Sequence, residues 1–344
     1  MSLIVVATTP KGIVIGGDSR CSSHKVTLGN EKIEVSDDET KVFQLSNHAG
    51  AGVTGAAEWT DPKKGGFESS INAIEFAKRL QDQTAKCKSF YSLTRTFADI
   101  LREKYDIETQ LKTLKKEFDE TVGKAAREEG HKINRVELLR GTETDDAYQF
   151  IYGPGLLAYI EQKGEIESHV HFPLLKSAFF IAGYNNKDDS NPKVSYLRVP
   201  PGNPVKVSGS SKKDNYGLCY SGDTRVVTWA TRYRGYKLKD VLYGVRYRSW
   251  PGLEHIDHEK LEDLVNEIRP KGEDINWGRL SLEKATDIVA SMIEITKLLQ
   301  EDFHKICPDQ TINNPISVGG EIDIAVIEPQ RGFYMHTIKS NKVK

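Results

Sequence analysis

The chain has 344 residues, of which 38% are hydrophobic and 28% are charged, a composition that suits a folded protein with a large core and argues against a disordered one. Its formal net charge of -1 at pH 7 argues against a nucleic-acid partner and against attraction to an anionic membrane surface. The opening residues lack the basic start and long apolar stretch of a secretory signal, and no apolar run approaches the roughly 20 residues of a membrane span, so we expect a cytoplasmic protein with no membrane partner.

Short strands are the first elements that the sequence predicts. Runs rich in β-branched residues, bounded by turn formers such as Pro10 to Gly12, predict four strands before any helix. A polar, acidic stretch from Cys21 to Thr40 predicts a long loop between the second strand and the third, and the fourth strand closes at Gly55. The predicted strands are 2–6, 13–15, 41–45 and 49–53.

Helices are predicted next, because apolar residues recur every three or four positions in 71–80 and in 93–105. The Lys- and Glu-rich stretch from about Asp106 to Glu137 keeps that spacing and predicts a helical extension or helix hairpin with a charged face toward solvent. We interpret about 106–167 as an insertion into a single domain that spans 1–344.

The second half begins with strands and closes with a hairpin. Strands are predicted at 147–152, 156–160, 178–184 and 194–199. A turn at Ser221 and Gly222 is predicted to open a helix at 224–232, and the charged, Pro- and Gly-containing residues from about 235–278 form a second insertion. The last predicted elements are a helix capped by Ser281 that runs to about Leu299, and a hairpin of 322–327 with 333–338.

This order of elements is typical of a layered α+β domain in which helices cover two stacked sheets. Its local patterns fall in the same order as in proteasome β-subunits and their HslV-like relatives, and the chain resembles that family of N-terminal-nucleophile (Ntn) hydrolases over most of its core. The patterns at the front are GIVIGGDSR at 12–20, which puts Ser2 in the place of the nucleophile, KVFQL at 41–45 and GAAE at 55–58. The resemblance implies a four-layer αββα sandwich with two insertions.

Later patterns extend the resemblance. They are FFIAGYNNKDDSNPKVSYLRV at 179–199, YSGD at 220–223, SLEKA at 281–285 and VGGEID at 318–323. The last of these departs from the family, because Val318 stands where a serine of the catalytic site is usual. Asp309 and Ser317 are the candidates for the supporting Asp–Ser pair of the family.

The chemistry implied by the resemblance needs a hydroxyl and a base on one residue. A serine hydroxyl is a poor nucleophile until a base removes its proton, and an α-amine with a pKa of roughly 7.7 to 8 can act as that base near neutral pH. Ser2 would carry both groups once Met1 is removed, as we expect before a small residue. Thr8 and Thr9 also offer hydroxyls, but a chain starting at either would leave too little strand before Gly12.

The resemblance also implies supporting roles. Lys41 would repel a proton from the amine and orient the hydroxyl, and Asp18 would hold Lys41. The backbone N–H of Gly55 would stabilise the oxyanion, and Ser221 would hydrogen-bond the amine. Simpler interpretations stay open, in which Asp18 is a turn former, Lys41 a solvated strand edge, Gly55 a turn glycine and Ser221 a helix cap.

The function favoured by the sequence is therefore that of a peptidase or amide hydrolase that works through an acyl-enzyme. The alternatives are an inactive proteasome-like structural or assembly protein, and an Ntn acylase or transpeptidase whose acyl-enzyme is captured by an amine. The expected partners are a peptide or amide substrate and further copies of the chain in a ring or a dimer.

No metal and no cofactor are predicted. The four cysteines lie far apart without a CxxC spacing, so neither a zinc site nor a dense disulfide framework is indicated. The groups His255, Asp257 and His258, and Glu301 with His304, lack an evident further ligand, and His169 and His171 merely alternate as on one face of a strand.

Overall fold

The elements of the fold are taken from a computed structural model. It describes residues 2–27, 30–37, 39–55, 58–60, 70–72, 87–120, 122–128, 132–140, 155–162, 165–174, 177–199, 205–207, 216–222, 227, 275–306 and 318–336. Within these ranges, no helix is both long and apolar enough to cross a membrane.

The fold is α+β and consists mostly of antiparallel sheet, with few helices among the described residues. The strands are β1 (Leu3–Thr8), β2 (Ile13–Asp18), β3 (Cys21–Thr27), β4 (Asn30–Ser36), β5 (Val42–Ser46), β6 (Ala49–Gly55), β7 (Glu58–Thr60), β8 (Ser70–Asn72), β9 (Lys132–Leu139), β10 (Gly155–Gln162), β11 (Glu165–Pro173), β12 (Ser177–Gly183), β13 (Lys193–Val199), β14 (Val205–Lys206), β15 (Leu218–Gly222), β16 (Ile322–Glu328) and β17 (Gly332–His336). The helices are α1 (Phe90–Lys104), α2 (Ile107–Glu120), α3 (Val122–Glu128) and α4 (Leu282–Ile306).

Two five-stranded sheets form the main body of these elements. The first sheet has the order β15-β1-β2-β16-β17, and the second has the order β14-β13-β12-β6-β5. Every residue of β1 and β2 is buried. Strands covered on both faces read as continuous apolar runs, which is why LIVVAT and the start of IVIGGD lack polar alternation.

Buried side chains divide the faces of these sheets among three clusters. The facing sides of the two sheets share one cluster, which includes Ile4, Val6, Ile15, Phe180 and Ala182. The other face of the first sheet packs on α4 through Leu3, Val5, Val289, Met292 and Ile293. The other face of the second sheet packs on α1 through Ala51, Val53, Phe97, Leu101 and Phe179.

Both covering helices begin at serine caps. The Ser89 hydroxyl accepts a 3.1 Å hydrogen bond from the Ser92 N–H at the start of α1. The Ser281 hydroxyl accepts one of 3.1 Å from the Lys284 N–H at the start of α4, as the sequence predicts. The helix itself continues to Ile306, beyond the predicted end at Leu299.

A separate three-stranded sheet, β11-β10-β9, packs against α2. Phe118 of α2 meets Phe172 edge to face, with ring centroids 5.0 Å apart, and Leu156 and Ala158 complete the buried contact. α2, β9 and β10 lie in the first predicted insertion, part of which is helix as predicted, whereas β11 extends past its predicted end at about 167.

Several predicted elements are wrong. The stretch from Cys21 to Thr40 is not a loop, because β3 and β4 pair as a hairpin from Cys21↔Ser36 to Thr27↔Asn30. Residues 132–137 belong to a strand and not to a helix: Ile133 and Val136 have helical spacing, and a register shift between them in the pairing with β10 lets both pack on one cluster. Ser221 and Gly222 end a strand that pairs with β1, and Ile71 lies in β8.

Other predictions lie outside the described residues. They are the rest of the helix at 73–80, the strand at 147–152, the helix at 224–232 apart from Val227, and the second insertion apart from 275–278.

Candidate active site

Ser2 lies directly before β1 and is 4% exposed. Its carbonyl oxygen accepts a 3.2 Å hydrogen bond from the Thr54 hydroxyl on β6. The same oxygen faces Gly222 on β15, where a Cβ atom would lie 1.6 Å away. Because φ at Gly222 is +102° and a side chain would collide with Ser2, this position requires glycine. Three strands, β1, β6 and β15, therefore meet around Ser2.

Asp18 ends β2 and points into the protein, with 1% of its side chain exposed. One carboxylate oxygen accepts the Leu3 N–H at 2.9 Å, and the other accepts the N–H groups of Arg20 and Gly319, each at 3.2 Å. Burial raises the pKa of the Asp18 carboxyl above its ordinary value, while the Lys41 charge and the backbone N–H groups oppose the rise. The carboxylate thus ties the start of β1 to the end of β2.

Lys41 precedes β5 in the second sheet, and its side chain is 4% exposed. Its ammonium donates to the second Asp18 carboxylate oxygen at 3.1 Å and to the Arg20 carbonyl. The carboxylate that binds the ammonium also accepts the first backbone N–H after Ser2. A buried cation is therefore held beside the start of β1. The interpretation of Lys41 as a solvated edge is wrong, whereas Asp18 makes both the hydrogen bond to the Arg20 N–H that is typical of a turn former and the buried ion pair.

Ser221 lies opposite Ile4 in the pairing of β15 with β1. Its hydroxyl lies 3.4 Å from the Tyr196 hydroxyl on β13, which links the two sheets near the start of β1. Gly55 is the exposed last residue of β6, directly after Thr54, and has a φ of +97°. The structure therefore places all five predicted site residues at or near one end of the facing sheets.

Thr8 and Thr9 lie at the other end of β1, where the chain turns toward β2. The Thr9 hydroxyl donates to the Gly12 carbonyl at 3.1 Å, and the Thr8 hydroxyl donates to the Gly217 carbonyl at 3.3 Å. The Thr9 hydroxyl serves the turn and the Thr8 hydroxyl joins β1 to the residue before β15, both at the opposite end of β1 from the Asp18–Lys41 ion pair.

Sequence reasoning missed Thr54, Tyr196 and Asp37, which contact Ser2, Ser221 and Arg20. Thr54 directly precedes the predicted Gly55, so the motif that marks Gly55 could also have pointed to Thr54. Asp37 lies in the stretch that was interpreted as a loop, and Tyr196 lies on a predicted strand with no motif to mark it.

Val318 is fully buried in the cluster between the first sheet and α4. Its N–H donates to the Gln300 side chain at 2.9 Å. Val318 therefore packs in the core and offers no hydroxyl to the candidate site. The candidates Asp309 and Ser317 lie outside the described residues.

The cysteines and the possible metal ligands are the remaining reactive groups. Burial raises the pKa of the Cys219 thiol to about 12, and neither Cys219 nor Cys87 is in a disulfide. Among the described residues, no three His, Cys, Asp or Glu side chains are arranged to hold a metal ion. His255, Asp257 and His258 lie outside those residues.

Comparison of the sequence with models of known protein families and with curated proteins gave no match.

Proposed function

We propose that the chain is an Ntn-type amide hydrolase of the proteasome β-subunit kind, in which Ser2 is the nucleophile after Met1 is removed. One observation carries the proposal. The buried Asp18–Lys41 ion pair is bonded to the first backbone N–H after Ser2, so a fixed positive charge lies beside the residue that must lose a proton. The same ion pair also ties the start of β1 to the end of β2, and the proposal adds a role in the chemistry to that structural one.

The proposed architecture is the four-layer αββα sandwich of that family. Its support is the order of the packed faces, in which α4 covers the first sheet, the two sheets face each other, and α1 covers the second sheet. The three-stranded sheet with α2 and the hairpin of β3 and β4 are additions to that plan.

In the proposed reaction the Ser2 α-amine takes the hydroxyl proton while Oγ attacks the carbonyl carbon of an amide. Lys41 disfavours protonation of the amine by like-charge repulsion, and Ser221 orients the amine. The C–N bond then breaks, the leaving amine receives the proton, and a Ser2 ester remains. Water attacks this ester through the same base, which releases the acid and restores Ser2.

The oxyanion of each tetrahedral intermediate would bind the Gly55 backbone N–H. The exposed end of β6, with no side chain at Gly55, lets a substrate carbonyl approach that N–H. The proposed substrate is a peptide or amide whose carbonyl reaches the exposed Gly55.

A second candidate is an inactive structural or assembly protein of the same kind. It is favoured by Val318, because a buried valine replaces the hydroxyl that the family usually has at that position. The third alternative, acyl transfer to an amine, has no such observation and stays a prediction.

The test is the intact mass of the native protein before and after a serine-reactive β-lactone. We expect loss of Met1 and a single adduct on Ser2. An epoxyketone, which needs both the hydroxyl and the free amine, should give the same stoichiometry. Addition of a competing amine to the acylated protein then separates hydrolysis from acyl transfer.

Ser2→Thr is the matched control for Ser2→Ala, since threonine keeps the hydroxyl and alanine removes it. We expect labelling of the threonine variant and none of the alanine variant. A free Ser2 that never labels, or a retained Met1 in the native protein, would favour the inactive candidate.

A further inference from the structure

Arg20 and Asp37 lie at the base of the hairpin formed by β3 and β4, directly outside its outermost pair, Cys21↔Ser36. The Asp37 carboxylate accepts two N–H groups of the Arg20 guanidinium, from Nε at 2.5 Å and from the second terminal nitrogen at 2.8 Å. This hydrogen bonding lowers the pKa of the Asp37 carboxyl below its ordinary value. Such two-point pairs fix orientation as well as charge.

The loop before β16 packs over this ion pair through two glycines. A Cβ atom at Gly319 would lie 2.4 Å from the central carbon of the guanidinium, and one at Gly320 would lie 2.8 Å from the Asp37 carbonyl oxygen. The Ser19 hydroxyl donates to that Asp37 carbonyl and accepts the Glu321 N–H at 2.7 Å. The base of the hairpin is therefore joined to the end of β2 and to the start of β16.

The backbone of Arg20 leads from this ion pair to the candidate active site. Its N–H donates to Asp18 at 3.2 Å, and its carbonyl accepts the Lys41 ammonium. Two oxygens around the ammonium, one from Asp18 and one from Arg20, thus belong to the same three-residue segment. A movement of the Arg20 backbone would displace the ammonium from the start of β1.

We propose that Asp37 is a positioning residue, which holds the Arg20 guanidinium and thereby keeps the Arg20 carbonyl on the Lys41 ammonium. Its effect on Ser2 chemistry rests on the proposed function, whereas its effect on the ammonium does not. Asp37 contacts no part of Ser2, so its influence passes through Arg20 and Lys41.

The experiment compares Asp37→Asn with Glu108→Gln. Glu108 forms a similar two-point pair with Arg140, at 2.5 and 3.2 Å, on α2 and at the end of β9, and so controls for the loss of an Arg–carboxylate pair as such. The first readout is the Lys41 ammonium signal in the NMR spectrum of 15N-lysine-labelled protein, identified by its loss in Lys41→Met. The second is labelling by the β-lactone, resolved into a maximal rate and a half-saturating concentration.

We expect Asp37→Asn to lose or broaden the ammonium signal and to lower the maximal labelling rate about tenfold or more, with the half-saturating concentration unchanged. Asp37→Glu keeps the charge and should restore part of the ammonium signal and part of the labelling rate. Glu108→Gln should change neither.

Unchanged signal and rate in Asp37→Asn would overturn the proposal. So would a loss of rate that follows the fall in thermal midpoint and that Asp37→Glu does not restore, since that result describes a purely structural pair. If the wild-type protein shows no labelling that depends on Ser2, the proposed function is wrong, and the ammonium signal alone decides the role of Asp37.

Discussion

The ammonium of Lys41 is buried in a place where an unpaired charge would be strongly unfavourable. It is stabilised by Asp18, and Asp18 in turn accepts N–H groups from Leu3, Arg20 and Gly319. Removing one partner of a buried ion pair usually costs more than the pair contributes, because the other charge is left without compensation. Loss of one partner of this buried ion pair should therefore lower the free energy of unfolding more than loss of one partner of an exposed pair.

Lys41→Met should lower the free energy of unfolding by about 3 kcal/mol near neutral pH, because it leaves the Asp18 carboxylate buried without a cation. The folded-state pKa of Asp18 is above its unfolded value, so its contribution to the free energy of unfolding is present at low pH and is lost as the pH rises through the folded pKa. Loss of the Lys41 charge raises that pKa further. The destabilisation should therefore shrink as the pH falls. Urea unfolding of the wild-type protein and of Lys41→Met, near neutral pH and at about pH 5, measures the loss in the free energy of unfolding at each pH.

The control for this substitution is Lys115→Met, which removes the exposed partner of Asp119 at 3.0 Å. Exposed pairs contribute little, so we expect a change within about 0.5 kcal/mol at either pH. Equal losses for Lys41→Met at both pH values would show that lost packing, and not the Asp18 charge, is responsible.

The candidate site residues were singled out by the resemblance of the motifs around them to those of a known family, and their roles stay predictions. Ser2, Asp18 and Lys41 lie on or beside strands whose apolar runs are evident from the sequence. Asp37 could not be predicted, because its role depends on a hairpin that brings it back to Arg20. No local pattern distinguishes it from the acidic residues around it.

Elements with an apolar face were predicted best. The apolar spacing of α1, the apolar run of β12 and the alternating apolar residues of β13 identify these elements directly. The hairpin of β3 and β4 was missed because a two-stranded ladder is held by backbone pairing and does not require a strictly alternating apolar face. β15 was missed because its partner β1 lies far away in the chain.

Substitution of two phenylalanines tests whether the two five-stranded sheets and the three-stranded sheet unfold separately. Phe97 on α1 is fully buried and meets Phe179 at 5.3 Å, and Phe118 on α2 is 4% exposed and meets Phe172 at 5.0 Å. Phe97→Ala should lower the global free energy of unfolding by about 3 to 5 kcal/mol. Phe118→Ala should mainly raise hydrogen exchange in β9 to β11.

Hydrogen exchange by mass spectrometry measures both effects in one experiment. Amides of β1 and β2 should keep their protection in Phe118→Ala and lose it in Phe97→Ala. If Phe118→Ala exposes β1 and β2 equally, the two parts unfold together and the separation is wrong.

At the scale of the whole molecule, the first sheet joins the two ends of the described chain. β1 and β2 are flanked by β15 and β16, and the Asp18 to Gly319 hydrogen bond joins residues 301 positions apart. The hairpin of β12 and β13 closes over a short loop between Gly183 and Lys193. Closing the longer loop costs about 3 kcal/mol more in chain entropy.

Refolding from denaturant should therefore form the hairpin of β12 and β13 before β2 pairs with β16. Pulsed hydrogen exchange during refolding checks this, since the amides between β12 and β13 should gain protection first. Equal times of protection would indicate that both sheets form in one step.

The flanking of β1 and β2 also has a consequence during synthesis on the ribosome. At about 10 residues per second, Gly319 is added roughly half a minute after Asp18, and until then the apolar strand β2 lacks one of its neighbours. The Asp18 carboxylate, which binds the Lys41 ammonium, cannot receive the Gly319 N–H in that interval. The nascent chain thus carries Ser2 before the proposed site is complete, and one edge of β2 stays unpaired in that interval.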